Sequence, residues 1–421
     1  MQARKLTAGI GLAASALSVM ALMPGTAHAD YAPSSNDVVG VGSDTLQAGF
    51  DFIADGDALG DSGFNTGKFN KFISVDATAD ANTRLAYSTA GTNGLVCAPG
   101  TGPTAGTGNQ NATHSETTNP CTLNPTVLLR AGLSPIQRPN GSGAGFNLLK
   151  ADTNTGTGKT INGLVDFARA SSSRTSGALF DSLQMGNDPL GMLTSSTTSA
   201  AKALSVAQLK GIYQCTTTDW GSVGGTAGQT ILPLIPQVGS GTRSYFLGQI
   251  GLTDSTIGSC VKAVEENDPE AIDASGSASN AIEPMSQSRL FLFKGLLSDG
   301  TSNGVGPYFK DPSCAGLVTS PAACVGTAKN LSPNVKLWTS ADPAPSDAGA
   351  AFYPTRPLYV YFRHADLTST KAFQPGSTLN WINTMLYNPG GATPFFCTAA
   401  GQALISASGI IPACTYTASG P

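Results

Sequence analysis

The sequence predicts an α/β protein, because short apolar runs typical of buried strands alternate with segments of helical periodicity. An apolar run at 38–41 is followed by Leu46, Phe50 and Ile53, whose i, i+4 and i+7 spacing predicts one face of a helix. The chain has 421 residues, which is enough for two domains with substantial cores, although single domains of this size occur.

Another helix is predicted at 204–213. Ser205 can cap it, Gln208 completes a capping box three residues later, and apolar residues share one face. Further strands are predicted at 164–168, 231–238 and 358–362, and a helix carrying Tyr245, Phe246 and Ile250 follows the second of these strands.

The first 29 residues have the pattern of a cleaved signal peptide. Arg4 and Lys5 precede a mostly apolar stretch at 6–23, and 27–29 read Ala-His-Ala, so the mature chain is expected to begin at Asp30. A membrane anchor is the alternative, but the run contains several Gly, Ala and Ser residues and ends in a cleavage pattern. We therefore expect an exported protein, extracellular or periplasmic, without a membrane anchor.

Eight cysteines follow this leader, and an even number in an exported chain predicts disulfides. Short loops close most cheaply, which favours pairing between neighbours along the chain. A metal site is not expected, because no CxxC pair exists and the mature chain contains only two histidines, His114 and His364. No cofactor is predicted. The expected pairs are Cys97–Cys121, Cys215–Cys260, Cys314–Cys324 and Cys397–Cys414.

The charge of the chain argues against nucleic-acid binding. Without Arg4 and Lys5, 21 of the 23 basic residues remain against 27 acidic residues, and no basic cluster is present. An acidic protein can still bind an anion where local backbone dipoles outweigh the weak net field.

Three Gly- and Ser-rich loops, at 42–45, 141–144 and 239–242, each precede a predicted helix. The first turn of a helix has free backbone N–H groups and a partial positive charge, and Gly lets an oxyanion approach closely. Converging loops of this kind would bind a small tetrahedral anion. Each loop alone is more typical of an ordinary helix cap, so the prediction depends on the order of the three loops and on the residues around them.

Five segments carry a family resemblance, and they follow one another in the order that the family has. They lie at 141–145, 165–169, 204–213 with 219–220, 239–242 and 280–286. Together they resemble the periplasmic phosphate-binding subunit of bacterial phosphate importers. The resemblance implies a type II solute-binding fold, in which two α/β lobes flank a cleft and the chain crosses between them twice. It implies lobe I at 30–193 and 356–421, and lobe II at 194–355.

The same resemblance implies a monomeric binding protein that is not an enzyme, with inorganic phosphate or a similar oxyanion as ligand and an ABC transporter permease as partner. The implied ligand contacts are Ser43, Asp44, Thr45, Ser142, Gly143, Ser171, Ser240, Gly241 and Thr242.

The sequence departs from the family pattern at two positions. The carboxylate that accepts the proton of hydrogen phosphate falls near Ser171, and the Arg that precedes the second-lobe loop falls at Pro236. Asp44 could supply the acceptor, and the charge could come from Arg169, Arg174 or Arg243, so phosphate and sulfate both stay open as ligands.

Two other functions stay open. A secreted phosphoester hydrolase would need a His beside a nucleophile, and neither histidine lies in a recognisable motif. An extracellular adhesion or interaction protein would also be rich in Gly and Thr loops.

Overall fold

The computed structural model describes residues 32–57, 60–77, 126–134, 136–174, 177–264, 266–269, 271–272, 275–303 and 335–418. The expected signal peptide, His114 and two of the expected disulfides, Cys97–Cys121 and Cys314–Cys324, lie outside these ranges. Within them, no helix has the length and apolarity to cross a membrane.

The described residues form twelve strands and seven α-helices. The strands are β1 (Val38–Gly42), β2 (Phe72–Ser74), β3 (Thr126–Val127), β4 (Ile136–Gln137), β5 (Phe167–Ala170), β6 (Phe180–Ser195), β7 (Leu232–Pro236), β8 (Lys262–Val264), β9 (Ala281–Ser286), β10 (Val335–Trp338), β11 (Thr355–Arg363) and β12 (Ile411–Thr417). The helices are α1 (Gln47–Asp55), α2 (Ser142–Ala151), α3 (Val206–Tyr213), α4 (Gly241–Gln249), α5 (Gln287–Phe293), α6 (Trp381–Met385) and α7 (Ala399–Ala407).

Ten of these strands form one mixed sheet in the order β2-β1-β5-β11-β6-β9-β7-β8, with β10 and β12 also pairing with β6. The outer pairs are parallel, whereas β6 is antiparallel to all four of its neighbours. Strand β6 has 16 residues, and its first part pairs with β11 while its last part pairs with β9. The predicted α/β class is confirmed.

The capped helix predicted at 204–213 forms as α3, with Ser205 and Gln208 in a complete capping box. The strand predicted at 164–168 is displaced, because β5 begins at Phe167. The reason is a contact from outside the strand, because the Asp152 carboxylate accepts the N–H of Val165, while Asp166 still pairs with Val39 through its backbone N–H and its carboxylate. The Asp152 side chain thus takes the Val165 N–H, which the sequence pattern predicts to be part of the sheet.

The buried apolar residues divide into two regions. One surrounds β1, β5 and β11 and draws on residues 38–185 and 358–410, together with Leu292 of α5. The other surrounds β7 and β9 and draws on 190–352. We propose that these are the cores of the two lobes. The chain passes from the first core to the second within β6 and returns just before β11, close to the expected boundaries at 193 and 355.

Two expected disulfides are confirmed, Cys215–Cys260 and Cys397–Cys414. The first joins the residues after α3 to the turn before β8. The second fastens the start of α7 to β12, beside β6. Both link elements of one core.

Candidate functional site

The two Gly-Ser loops at 141–144 and 239–242 run directly into the first turns of helices. Helix α2 begins at Ser142 and α4 at Gly241. The Ser240 hydroxyl accepts the backbone N–H of Arg243 and so caps α4. The third loop, 42–45, connects β1 to α1, whose N-cap is Leu46.

The beginnings of α2 and α4 touch each other across the two cores. The backbone N–H of Gly143 donates to the carbonyl of Gly239 at 3.0 Å. Ser142 Oγ accepts the N–H of Ser171 at 3.0 Å and lies 3.2 Å from Ser171 Oγ. A Cβ added at Gly241 would collide with both serine side chains, so only glycine permits this approach. Four of the nine predicted contacts, Ser142, Gly143, Ser171 and Gly241, therefore lie together, and Ser240, a fifth, caps α4 beside them.

A second group of predicted residues meets a few residues further along. Thr45 Oγ1 lies 3.5 Å from Thr242 Oγ1, although 197 positions separate them in the chain. Arg356 joins the two hydroxyls, because its Nη1 donates to Thr242 at 2.9 Å and its Nη2 to Thr45 at 3.3 Å. One guanidinium thus contacts a loop from each core.

Arg356 is held by Asp188, which lies directly opposite it where β11 pairs with β6. Oδ2 of Asp188 accepts Arg356 Nε at 3.0 Å and Nη2 at 2.8 Å. Oδ1 accepts the hydroxyls of Ser286 and Ser288 and the Ser288 N–H. Both charged side chains are fully buried. Sequence analysis missed this pair, because β6 and β11 each carry other polar or charged residues, and nothing local distinguishes Asp188 and Arg356 from them.

Asp44 does not cap α1, since no side chain caps that helix. Its carboxylate accepts Asn267 Nδ2 at 3.1 Å and lies 3.5 Å from Arg289 Nη2. Asp44 is fully buried and makes both contacts to the other core's part of the chain. This position, between the two cores, suits a carboxylate that accepts a ligand proton.

Glu266 is a further carboxylate that the sequence did not single out. Its Oε1 accepts the Thr242 hydroxyl at 2.6 Å, the Thr242 N–H at 3.2 Å and the Thr45 hydroxyl at 3.3 Å. Burial and the nearby charge of Asp44 raise the pKa of Glu266, while its bonds to Thr242 and the charge of Arg356 oppose that rise.

The three arginines considered as replacement charges differ in their surroundings. Arg169 is buried against backbone carbonyls of Ser43 and Val75, and burial lowers its pKa to about 10. Arg243 donates to Asp254 and to the Pro236 carbonyl. Arg169 therefore supports the Ser43 loop, and Arg243 is largely engaged away from the other loops.

Arg174 is the arginine with most donors left over. Its Nε and Nη2 are buried and have no hydrogen-bond partner among the described residues. The buried hydroxyl of Ser43 has none there either. Burial lowers the pKa of Arg174, and the charge of Glu266 opposes this shift. Buried donors without partners are unusual, and they are typical of a site that meets a ligand.

The described residues contain no group of three His, Cys, Asp or Glu suited to a metal ion. His364 lies elsewhere, at the end of β11, where its Nδ1 is 3.0 Å from Asp181 Oδ2 and Tyr416 donates to the same oxygen. Away from His364, Ser142 and Ser171 bond to each other, and Ser240 accepts the backbone N–H of Arg243.

Comparison with known proteins gives one domain match. Residues 122–304 match the family model of a PBP superfamily domain. This match agrees with the predicted resemblance and with the type II solute-binding fold. No curated protein matches the sequence.

Several solved structures are similar in fold. An ABC-type phosphate transport receptor from Vibrio cholerae is 20% identical, with 64% of this chain and 85% of that chain covered and a TM-score of 0.37. A putative phosphate ABC transporter substrate-binding protein from Clostridium perfringens is 16% identical, with 62% and 85% covered and a TM-score of 0.37. The periplasmic phosphate-binding protein PfluDING is 14% identical, with 89% and 90% covered and a TM-score of 0.38. Because these TM-scores lie below 0.5, we draw no functional conclusion from the three structures.

Proposed function

We propose that this chain, which contains a PBP superfamily domain over residues 122–304, is an exported solute-binding protein for a small tetrahedral oxyanion, inorganic phosphate first. The observation that carries the proposal is the meeting of the α2 and α4 N-termini, with Gly143 and Gly239 in direct hydrogen bond. When this contact opens, the Gly143 N–H is released, and the two helix N-termini can offer backbone N–H groups and partial positive charge to an anion that enters between them.

Hydroxyl and guanidinium donors support the same ligand class. Ser142, Ser171 and Thr242 are fully buried beside these N-termini, and the Arg356 guanidinium contacts Thr242. Arg174 adds buried donors that have no partner in the described part of the chain. Phosphate and sulfate both present several acceptor oxygens to such a set.

Calorimetric titration of the ligand-stripped, disulfide-intact protein tests the proposal. Thr242→Val keeps the side-chain shape but removes the hydroxyl, and should weaken phosphate binding roughly tenfold, the value of one hydrogen bond of about 1.4 kcal/mol. Thr194→Val is the matched control, because Thr194 is equally buried and bonds to Trp338 and Ser195 instead. If neither phosphate nor sulfate at millimolar concentration gives a binding heat, the proposal is contradicted.

Asp44 is proposed as the acceptor for a proton on phosphate. Sulfate has no such proton, and a nearby carboxylate repels it. Asp44→Asn should therefore weaken phosphate binding and relax the exclusion of sulfate, measured by the ratio of the two dissociation constants. An unchanged ratio would remove Asp44 from this role.

Cleft closure and delivery complete the proposal. Opening of the lobes would break the Gly143–Gly239 bond, and a hinge motion of this kind is common in two-lobed binding proteins. Small-angle scattering should show a smaller radius of gyration with saturating phosphate than without it. An ABC transporter permease is the proposed partner, and loss of phosphate uptake on deletion of this chain would test it.

A further inference from the structure

Glu266 uses the hydrogen-bond donors that an oxyanion would use. One carboxylate oxygen accepts three donors, of which two come from Thr242 at the start of α4 and one from Thr45 beside α1. Both threonines belong to the proposed anion-binding set, and they lie on different cores. A carboxylate held by a helix N–H and two hydroxyls is itself a bound oxyanion in chemical terms.

Charged groups of both signs surround Glu266 before any ligand enters. Asp44 and Arg356 act directly on its carboxylate, and Arg174 lies within the reach of its charge. Arg356 also pairs with Asp188 at 2.8 Å, and Arg289 lies 3.5 Å from Asp44. A phosphate dianion that enters here would therefore approach the carboxylates of Glu266 and Asp44 as well as the Arg356 guanidinium.

We propose that Glu266 is a built-in competitor for the oxyanion, holding the Thr45 and Thr242 donors until it is protonated or displaced. This inference rests on the proposed anion-binding function. Protonation removes one negative charge from the set and converts the side chain from an acceptor into a donor for a ligand oxygen. Oxyanion binding therefore takes up a proton at Glu266 and weakens as the pH rises and this carboxyl ionises.

The direction of the pKa agrees with this role. Burial and the charge of Asp44 raise the pKa of Glu266, so that protonating it is easier than for an exposed glutamate. An incoming dianion would raise that pKa further, which is the same coupling viewed from the proton.

Phosphate titration of wild type and Glu266→Gln by calorimetry, from about pH 5 to about pH 8, tests the inference. Gln keeps the size of the side chain but carries no charge. The expected result is that Glu266→Gln binds phosphate roughly tenfold tighter than wild type near pH 8, equivalent to one pKa unit of coupling, and that this advantage shrinks as the pH falls and Glu266 becomes protonated. Phosphate's own titration is common to both proteins and cancels in the ratio.

Proton uptake gives a second readout. Repeating the titration in buffers of different ionisation enthalpy should show that wild type takes up at most about half a proton more per phosphate than Glu266→Gln does, because a tenfold coupling shifts the pKa of Glu266 by one unit on binding. Glu283→Gln is the matched control, since Glu283 is a buried carboxyl of the same core that acts on Tyr213. It should match wild type in both affinity and proton uptake. If Glu266→Gln fails to fold, Glu266→Asp, which is one methylene shorter, should likewise bind phosphate more tightly near pH 8.

The outcomes separate the two proposals. Phosphate binding that is unchanged or weaker in Glu266→Gln at every pH would overturn the competitor role and leave the anion-binding function standing. Weaker binding would instead make Glu266 a ligand contact. Failure of every variant to bind phosphate or sulfate at any pH would overturn the anion-binding function and, with it, this inference.

Discussion

Replacement of Asp188 by Asn should strongly destabilise the protein. Asp188 receives five hydrogen bonds, of which two come from Arg356 to Oδ2 and three from Ser286 and Ser288 to Oδ1. An amide has one acceptor oxygen and two N–H donors. If the oxygen of the introduced amide faces the serines, its amino group faces the two Arg356 donors, and the buried guanidinium loses its counter-charge.

The expected magnitude follows from these bonds. Each hydrogen bond to a charged group contributes roughly 1.5–3 kcal/mol, and removing one partner of a buried pair typically costs about 3–5 kcal/mol. Arg243–Asp254 provides a matched control with a similar N–O distance of 2.7 Å, but the Asp254 side chain is 53% exposed, whereas that of Asp188 is fully buried. Asp254→Asn should therefore cost less than Asp188→Asn, about 1–2 kcal/mol, because Arg243 is buried but water reaches the Asp254 carboxylate.

Urea unfolding of the oxidised protein, followed by fluorescence and circular dichroism, measures both free energies. Asp188→Asn should move the midpoint to much lower urea with an unchanged slope, and Asp254→Asn should move it slightly. Losses that agree within about 1 kcal/mol in the two variants would show that burial does not set the strength of the pair, and the reasoning would fail.

Three further predictions concern local features. Ser205→Ala should lower the free energy of unfolding by about 1 kcal/mol, because Ser205 accepts the Gln208 N–H at the start of α3, and Ser222→Ala on an exposed turn is its control. Burial raises the pKa of Asp366 from 3.8 to about 6, so the stabilising contribution of this group is complete below about pH 4 and is lost as the pH rises through 6. In urea titrations, the free energy of unfolding of Asp366→Asn should therefore gain up to about 3 kcal/mol relative to wild type between about pH 4 and pH 7. A difference that stays constant with pH would contradict this. Mass mapping of non-reduced peptides should show two further neighbour disulfides, and a link such as Cys97–Cys397 would refute that pairing; the two expected pairs are Cys97–Cys121 and Cys314–Cys324.

Much of the fold was predictable because its signals are local. The capping box at Ser205 uses residues three positions apart, and α1 and α3 follow from apolar spacing within a few turns. Cys215–Cys260 and Cys397–Cys414 close short loops. The displaced start of β5 shows the limit of such signals, since Asp152, 13 positions away, accepts the N–H of Val165.

The sequence by itself determined the α/β class, several element positions and the loops that end at helix N-termini, because these depend on neighbouring residues. Only the tertiary structure decided what lies between those loops. Arg356 reaches Thr45 across 311 positions and pairs with Asp188 across 168, and Glu266 meets Thr45 across 221. A pattern within a single element contains no information on such distances. Strand pairing in the sheet brings Arg356 and Asp188 together, and burial strengthens their attraction and raises the pKa of Glu266.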